Sequence, residues 1–241
     1  MQTRNVTYRA DGADMIGFFA IDETRGGSRA GVLVAPEAPG LDDLTRERCK
    51  RLAALGYAAL GVDYHGDGAV IQDRDAMFAR LGPYFADPLP LRARANAALA
   101  ALIAQPNVDG NRIAAIGYCF GGTFALETAR GGADIKAAVG FHAGLKTARP
   151  QDAKNIRAKV LILNGEADPI VPLEERTAFE QEMSAGNVDW QLHLYGGVGH
   201  AFTRPGVENM GMGPGFGYSE SADQRSWQAM LNFFDETLGA V

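Results

Sequence analysis

The sequence predicts an α/β fold in which a mostly parallel sheet of about eight strands carries helices on both faces. Three observations point there. Short, unbroken apolar runs such as AGVLVA (30–35), YAALGVD (57–63), RIAAIGY (112–118) and KVLILNG (159–165) read as strands buried on both sides, as parallel strands are. Between them lie stretches with helical apolar spacing, among them Leu41 to Leu55 and Cys119 to about Arg130. A chain of 241 residues, 46% hydrophobic and 22% charged, has an ordinary size and composition for one such domain, here expected to span 1–241.

The elements follow in order. Segments 2–9 and 14–21 meet at Asp11-Gly12, a pair that accepts the positive φ of a tight hairpin turn, so they are expected to form an antiparallel edge. AGVLVA comes next, then the helix from Leu41 to Leu55 ended by Gly56, then YAALGVD. The section from 64 to 90 holds Gly66, Gly68, Gly82, Pro83, Pro88 and Pro90. It is read as an irregular excursion that shapes a pocket, ahead of an alanine-rich helix over about 91–104. RIAAIGY leads into the helix from Cys119, followed by the strands IKAAVGF (135–141) and KVLILNG. A helix near 172–184, the strand VDWQLHLY (188–195) and an amphipathic helix from about Ser219 to Leu238 complete the chain. No internal repeat or low-complexity linker interrupts this rhythm.

In a sheet of this kind ligands gather at the carboxyl ends of the strands, so catalytic residues should stand just after them. Gly117-Tyr118-Cys119-Phe120-Gly121 does so, between RIAAIGY and the helix that follows. Gly-x-Cys-x-Gly in that position is a nucleophile elbow: the small flanking residues let strand and helix approach, and the sulfur projects above the sheet. The unsatisfied N–H groups and partial positive charge of a helix N-terminus favour a thiolate. This feature narrows the expectation to an α/β-hydrolase fold. The Phe120 N–H would receive the oxyanion, with a second donor, assigned to Ala38, from the loop after AGVLVA.

In that fold the nucleophile is followed by an acid and then a base, and Cys119, Asp168 and His200 have that order. Asp168 lies in LILNGEADPIVP directly after a strand, with Glu166 as its neighbour and competitor. His200 lies in YGGVGHAFTRP, on a glycine-flanked loop after the last strand. The imidazole would take the thiol proton while Asp168 fixes its tautomer. His65 and His142 also follow strands and are expected near the pocket; His193 alternates within a strand.

With GYCFGG, NGEADPIVP and GGVGHAFTRP in place, the chain resembles the dienelactone hydrolase family over nearly its full length. VLVAPEAPGL belongs to that likeness, and the resemblance implies that Glu37 hydrogen-bonds the resting cysteine. It also implies that Arg204 helps hold a substrate carboxylate, with Arg74 or Arg80 as the other arm. Ala201 follows the base where the family is similar but carries serine.

The chemistry expected is attack of Cys119 on an ester or lactone carbonyl, a thioester intermediate and hydrolysis by water activated by His200, with no cofactor and no metal. Tyr64, Phe78, Tyr84, Tyr118, Phe141, His142, Phe202 and Arg204 are expected to line the substrate pocket under the glycine-rich loop 206–217. Such a pocket suits activated aryl esters and, by the same oxyanion donors, phosphotriesters. Alternatives are a thioesterase or acyltransferase using the same triad, and a thiol sensor that turns nothing over. A formal charge of −6 argues against nucleic acid. The polar first residues and the lack of a long apolar run predict a cytoplasmic protein without membrane contact, a monomer or homodimer acting on a small molecule. The only two cysteines, Cys49 and Cys119, are expected as free thiols.

Overall fold

Asp11 and Gly12 sit at φ 50° and 77°, the positive values a two-residue hairpin turn demands. They join β1 (Gln2–Ala10) to β2 (Ala13–Ile21), paired antiparallel in full register. A computed structural model describes residues 1–239 of the chain. Strands β3 (Arg29–Ala35), β4 (Ala58–Gly61), β5 (Val108–Tyr118), β6 (Ala137–Phe141), β7 (Lys159–Gly165) and β8 (Trp190–Tyr195) continue the sheet. Its order is β1-β2-β4-β3-β5-β6-β7-β8, antiparallel at β1 and β2 and parallel from β4 onward.

The period-2 alternation of the strands divides the core in two. In β3, Leu33 and Ala35 face one layer while Val32 and Val34 face the other. The second layer is covered by α1 (Asp43–Leu55) and α6 (Glu220–Leu238). The first is covered by α3 (Leu89–Ile103), α4 (Phe120–Arg130) and α5 (Leu173–Ala185). Helix α1 begins two residues later than its apolar spacing suggests, because Asp42 caps it: its Oδ1 accepts from the Thr45 N–H at 3.0 Å. Gly56 closes it at φ 110°.

The section 64–90 differs from expectation, since it contains a helix, α2 (Arg74–Ala86). Gly82 and Pro83 read as breakers, but Pro83 falls in the last turn. The ring removes one late N–H and the helix ends three residues on, while the Asp73 side chain caps the other end, accepting from the Ala76 N–H at 2.8 Å. Only Met77 and Leu81 of α2 are buried, too few to reveal a helix by periodicity. Among the described residues no helix is long and apolar enough to cross a membrane.

Candidate active site

Strand β5 ends at Tyr118 and α4 begins at Phe120, so Cys119 alone makes the turn, at φ 55° and ψ −119°. That region is strained for a residue with a side chain and persists only when the surroundings over-determine it. They do so here. The Cys119 N–H is shared between the Phe141 carbonyl at 3.0 Å and His142 Nδ1 at 3.1 Å. A Cβ on Gly117 would overlap the Gly121 carbonyl, and one on Gly121 would overlap the carbonyls of Ala35 and Pro36. Cys119 is half-buried and opens on a cavity of about 280 Å³. Cys49 is fully enclosed in the other core layer, and burial pushes its thiol up to about 12.

His200 lines the same cavity. Its Nδ1 is 2.7 Å from Asp168 Oδ2, and Asp168 Oδ1 accepts from the Ile170 N–H at 2.8 Å, so the carboxylate is held on both sides. The base segment is clamped by the loop above it: the His200 N–H donates to the Gly215 carbonyl at 2.7 Å, and the Phe216 ring packs edgewise on the imidazole. Burial opposes a charge on His200, but the Cys119 sulfur and the bond to Asp168 outweigh it and push the imidazole up to about 10. Imidazolium and sulfur thus face one another as a coupled pair.

Ala38 lines the same cavity, and Phe120 follows Cys119 at the start of α4. Among the described residues neither the Phe120 N–H nor the Ala38 N–H is given to another protein group. The Glu37 carbonyl on the far side of the Ala38 amide accepts from the Gly40 N–H at 2.9 Å and from the buried Tyr64 hydroxyl. Those two bonds fix the peptide plane. Tyr64 therefore holds the loop from beneath rather than lining the pocket.

Glu37 departs from the expected thiol partner. Its Oε2 takes Arg204 Nε at 2.6 Å and its Oε1 takes Arg48 Nη1 at 3.5 Å, with no Glu37–Cys119 hydrogen bond among the described residues. Two guanidiniums outcompete a thiol for a buried carboxylate. Arg204 also gives Nη2 to Asp42 Oδ2 at 2.5 Å. Arg48 bonds both the Thr203 hydroxyl and the Thr203 carbonyl, at 2.8 and 3.2 Å, and lies 3.4 Å over the Tyr118 ring.

The aromatic pocket is the other correction. Of its expected lining only Arg204 reaches the cavity. Tyr118 and Phe141 stack 4.5 Å apart in the layer below the sheet. Phe202 is buried against Tyr195 and His142, Tyr84 packs on Phe120, and Phe78 is exposed. His142 is wholly buried. It accepts from Cys119 at Nδ1, so its other nitrogen carries the proton that Thr203 Oγ1 accepts at 2.8 Å. Burial and the charges of His200, Arg48 and Arg204 hold its pKa well below the usual value. His65 is likewise a loop brace, its Nε2 2.9 Å from the Ala38 carbonyl.

The actual walls are Ile71, Met77, Val207, Met210, Met212 and Phe216, with Arg74 at the mouth. Arg80 instead donates to the His65 carbonyl. Sequence reasoning missed the methionines, which lie in the unrecognised α2 and in the glycine-rich loop. Arg48 did carry a signal: with Thr45, Cys49 and Leu52 it occupies the buried stripe of α1, an unusual place for a charge.

A strained cysteine on a strand-to-helix turn of this eight-stranded sheet is the architecture of the α/β-hydrolases. The model of the dienelactone hydrolase family matches residues 17–238, and the chain belongs to that family. Membership makes it a hydrolase of ester or lactone bonds. The chain is similar to the solved structure named m3DLH, with 47% identity, TM-score 0.95 and 98% of each chain covered. It is also similar to a dienelactone hydrolase-like promiscuous phosphotriesterase from metagenomic libraries, with 44% identity, TM-score 0.93 and 99% of each covered. A Salmonella typhimurium protein named "Putative carboxymethylenebutenolidase" is 28% identical over 236 residues, covering 93% of this chain and 84% of its own length.

Proposed function

We propose that the chain, acting as one domain on a small molecule, cleaves carboxylic esters and lactones through Cys119, His200 and Asp168. The observation that carries this reading is one cavity in which a strained, half-buried Cys119 faces an imidazole held by a carboxylate at 2.7 Å. The sulfur attacks the carbonyl carbon, and the oxyanion takes the free N–H groups of Phe120 and Ala38. The His200 imidazolium then protonates the departing alkoxide oxygen and leaves a thioester on Cys119. Neutral His200 next accepts a proton from water as its oxygen attacks the thioester, and the acid departs as the sulfur regains its negative charge. Loss of one oxyanion donor costs about 3 kcal/mol in such steps.

The test is hydrolysis of p-nitrophenyl butyrate by wild type and Cys119→Ala, with mass spectrometry of the acid-quenched wild type. A butyryl adduct on Cys119 and loss of turnover in the variant are expected; equal rates in the two proteins would exclude the mechanism. A second activity has a specific basis in the similar structure named a promiscuous phosphotriesterase. The donors that take a carbonyl oxyanion can also take a phosphoryl oxygen, so paraoxon should release p-nitrophenol in a Cys119-dependent way. Neither turnover nor labelling at Cys119 would remove that activity.

A further inference from the structure

Glu37 and Arg204 line the cavity, and Arg48 and Asp42 behind them complete a cluster of two guanidiniums against two carboxylates. Arg204 reaches the cavity, yet its Nε and Nη2 are already given to Glu37 and Asp42. Arg48 is committed to Glu37, Thr203 and the Tyr118 ring. An anion entering here would meet two guanidiniums whose charge is balanced by two carboxylates. The walls it would then touch are apolar: Ile71, Met77, Val207, Met210, Met212 and Phe216.

Asp42 is the informative member. Its Oδ1 caps α1 while its Oδ2 faces Arg204. Asparagine and serine cap helices about as well as aspartate, so the fold has no need of the charge. We propose that Asp42 is a specificity-determining residue whose charge withdraws Arg204 from the cavity, so that the enzyme takes neutral, apolar esters and turns away esters bearing a carboxylate. Arg74 does not restore the lost attraction. It is exposed at the start of α2 between Asp73 and Asp75, where water and those neighbours screen it.

This inference rests on the ester-hydrolase reading above and is tested with two substrates that share a leaving group. p-Nitrophenyl butyrate and mono-p-nitrophenyl succinate have acyl chains of equal length and differ in a terminal carboxylate. Wild type is expected to favour the butyrate in kcat/KM by about tenfold or more, and Asp42→Asn to narrow that ratio by about fivefold, chiefly through KM for the succinate. Asp42→Glu, which keeps the charge, should leave the ratio near that of wild type. Should Asp42→Asn fail to fold, Asp42→Ser repeats the measurement with another capping residue. Wild type turning over the succinate as well as the butyrate, or a ratio unmoved in the uncharged variants, overturns the inference alone. Absence of turnover on both esters would sink the hydrolase reading and this inference with it.

Discussion

The two ends of α4 are built from the same kinds of parts and are used oppositely. At its N-terminus Cys119 makes a strained turn and, among the described residues, the Phe120 N–H is given to no other protein group. At its C-terminus, about 16 Å away by helix rise, Arg130 is fully enclosed and makes four hydrogen bonds. It bonds Glu127 at 3.0 Å, Glu182 at 2.7 and 2.8 Å and the Leu145 carbonyl at 2.9 Å. Arg92 of α3 extends that cluster, reaching Glu127 at 2.9 Å and Asp152 at 2.7 Å. The cation also sits where the helix dipole favours it. One end leaves a backbone donor beside the strained cysteine; the other uses its guanidiniums to join α3, α4 and α5. Burial of charge by itself therefore says little about role. What separates the two is whether the bonded groups border open space.

Four substitutions or conditions sharpen that contrast. The largest effect belongs to the N-terminal end: His200→Ala should lower kcat for p-nitrophenyl butyrate by about 10⁴-fold or more. A variant that kept its rate would remove the base from the mechanism. At the structural end the pattern inverts. Arg130→Ala strands Glu127 and Glu182 in a buried site and should cost about 3–5 kcal/mol in urea unfolding, while KM of the folded protein stays that of wild type. A kinetic defect larger than the stability loss would show that the two ends are coupled.

The third concerns pH. His200 is raised in the folded state to about 10 from an ordinary value of 6.5. A raised basic group adds stability that is complete below about pH 6.5 and lost as pH climbs through about 10. The gap in unfolding free energy between wild type and His200→Ala should therefore shrink as pH rises across that window. The same measurement in a Cys119→Ala background should show a flatter profile, since the sulfur is the strongest influence raising the imidazole. A gap that grew with pH would mean that His200 is neutral in the folded protein.

The smallest effect tests the brace under the elbow. His142→Phe removes one of the two acceptors of the Cys119 N–H and the bond to Thr203, while the Phe141 carbonyl remains. Acylation measured in a stopped-flow burst should slow by about tenfold, or roughly 1.4 kcal/mol, with KM and thermal midpoint near those of wild type. An unchanged burst rate would reduce His142 to a space-filling residue.

Much of this molecule could be read from the chain before folding it. Strand runs, the Asp11-Gly12 turn and the Gly56 stop depend on local chemistry, because each rests on residues within a few positions of one another, and the chain order of Cys119, Asp168 and His200 can be read without any contact between them. So did the family likeness. Helix α2 escaped because two buried residues make no periodic signal, and the aromatic pocket was wrong because an aromatic after a strand can face either layer of the sheet. Which layer it faces depends on register, and register is set by neighbouring strands.

The sequence by itself determined the alternation of elements and the strand-to-helix turn at Cys119, since these need only residue type and spacing along one segment. Tertiary structure alone decided what surrounds them. Glu37 and Arg204 are 167 positions apart and His142 and Thr203 are 61, so no local pattern could pair them. Burial then made those pairings unavoidable, because a charge or imidazole removed from water must take whichever partner the fold brings within reach.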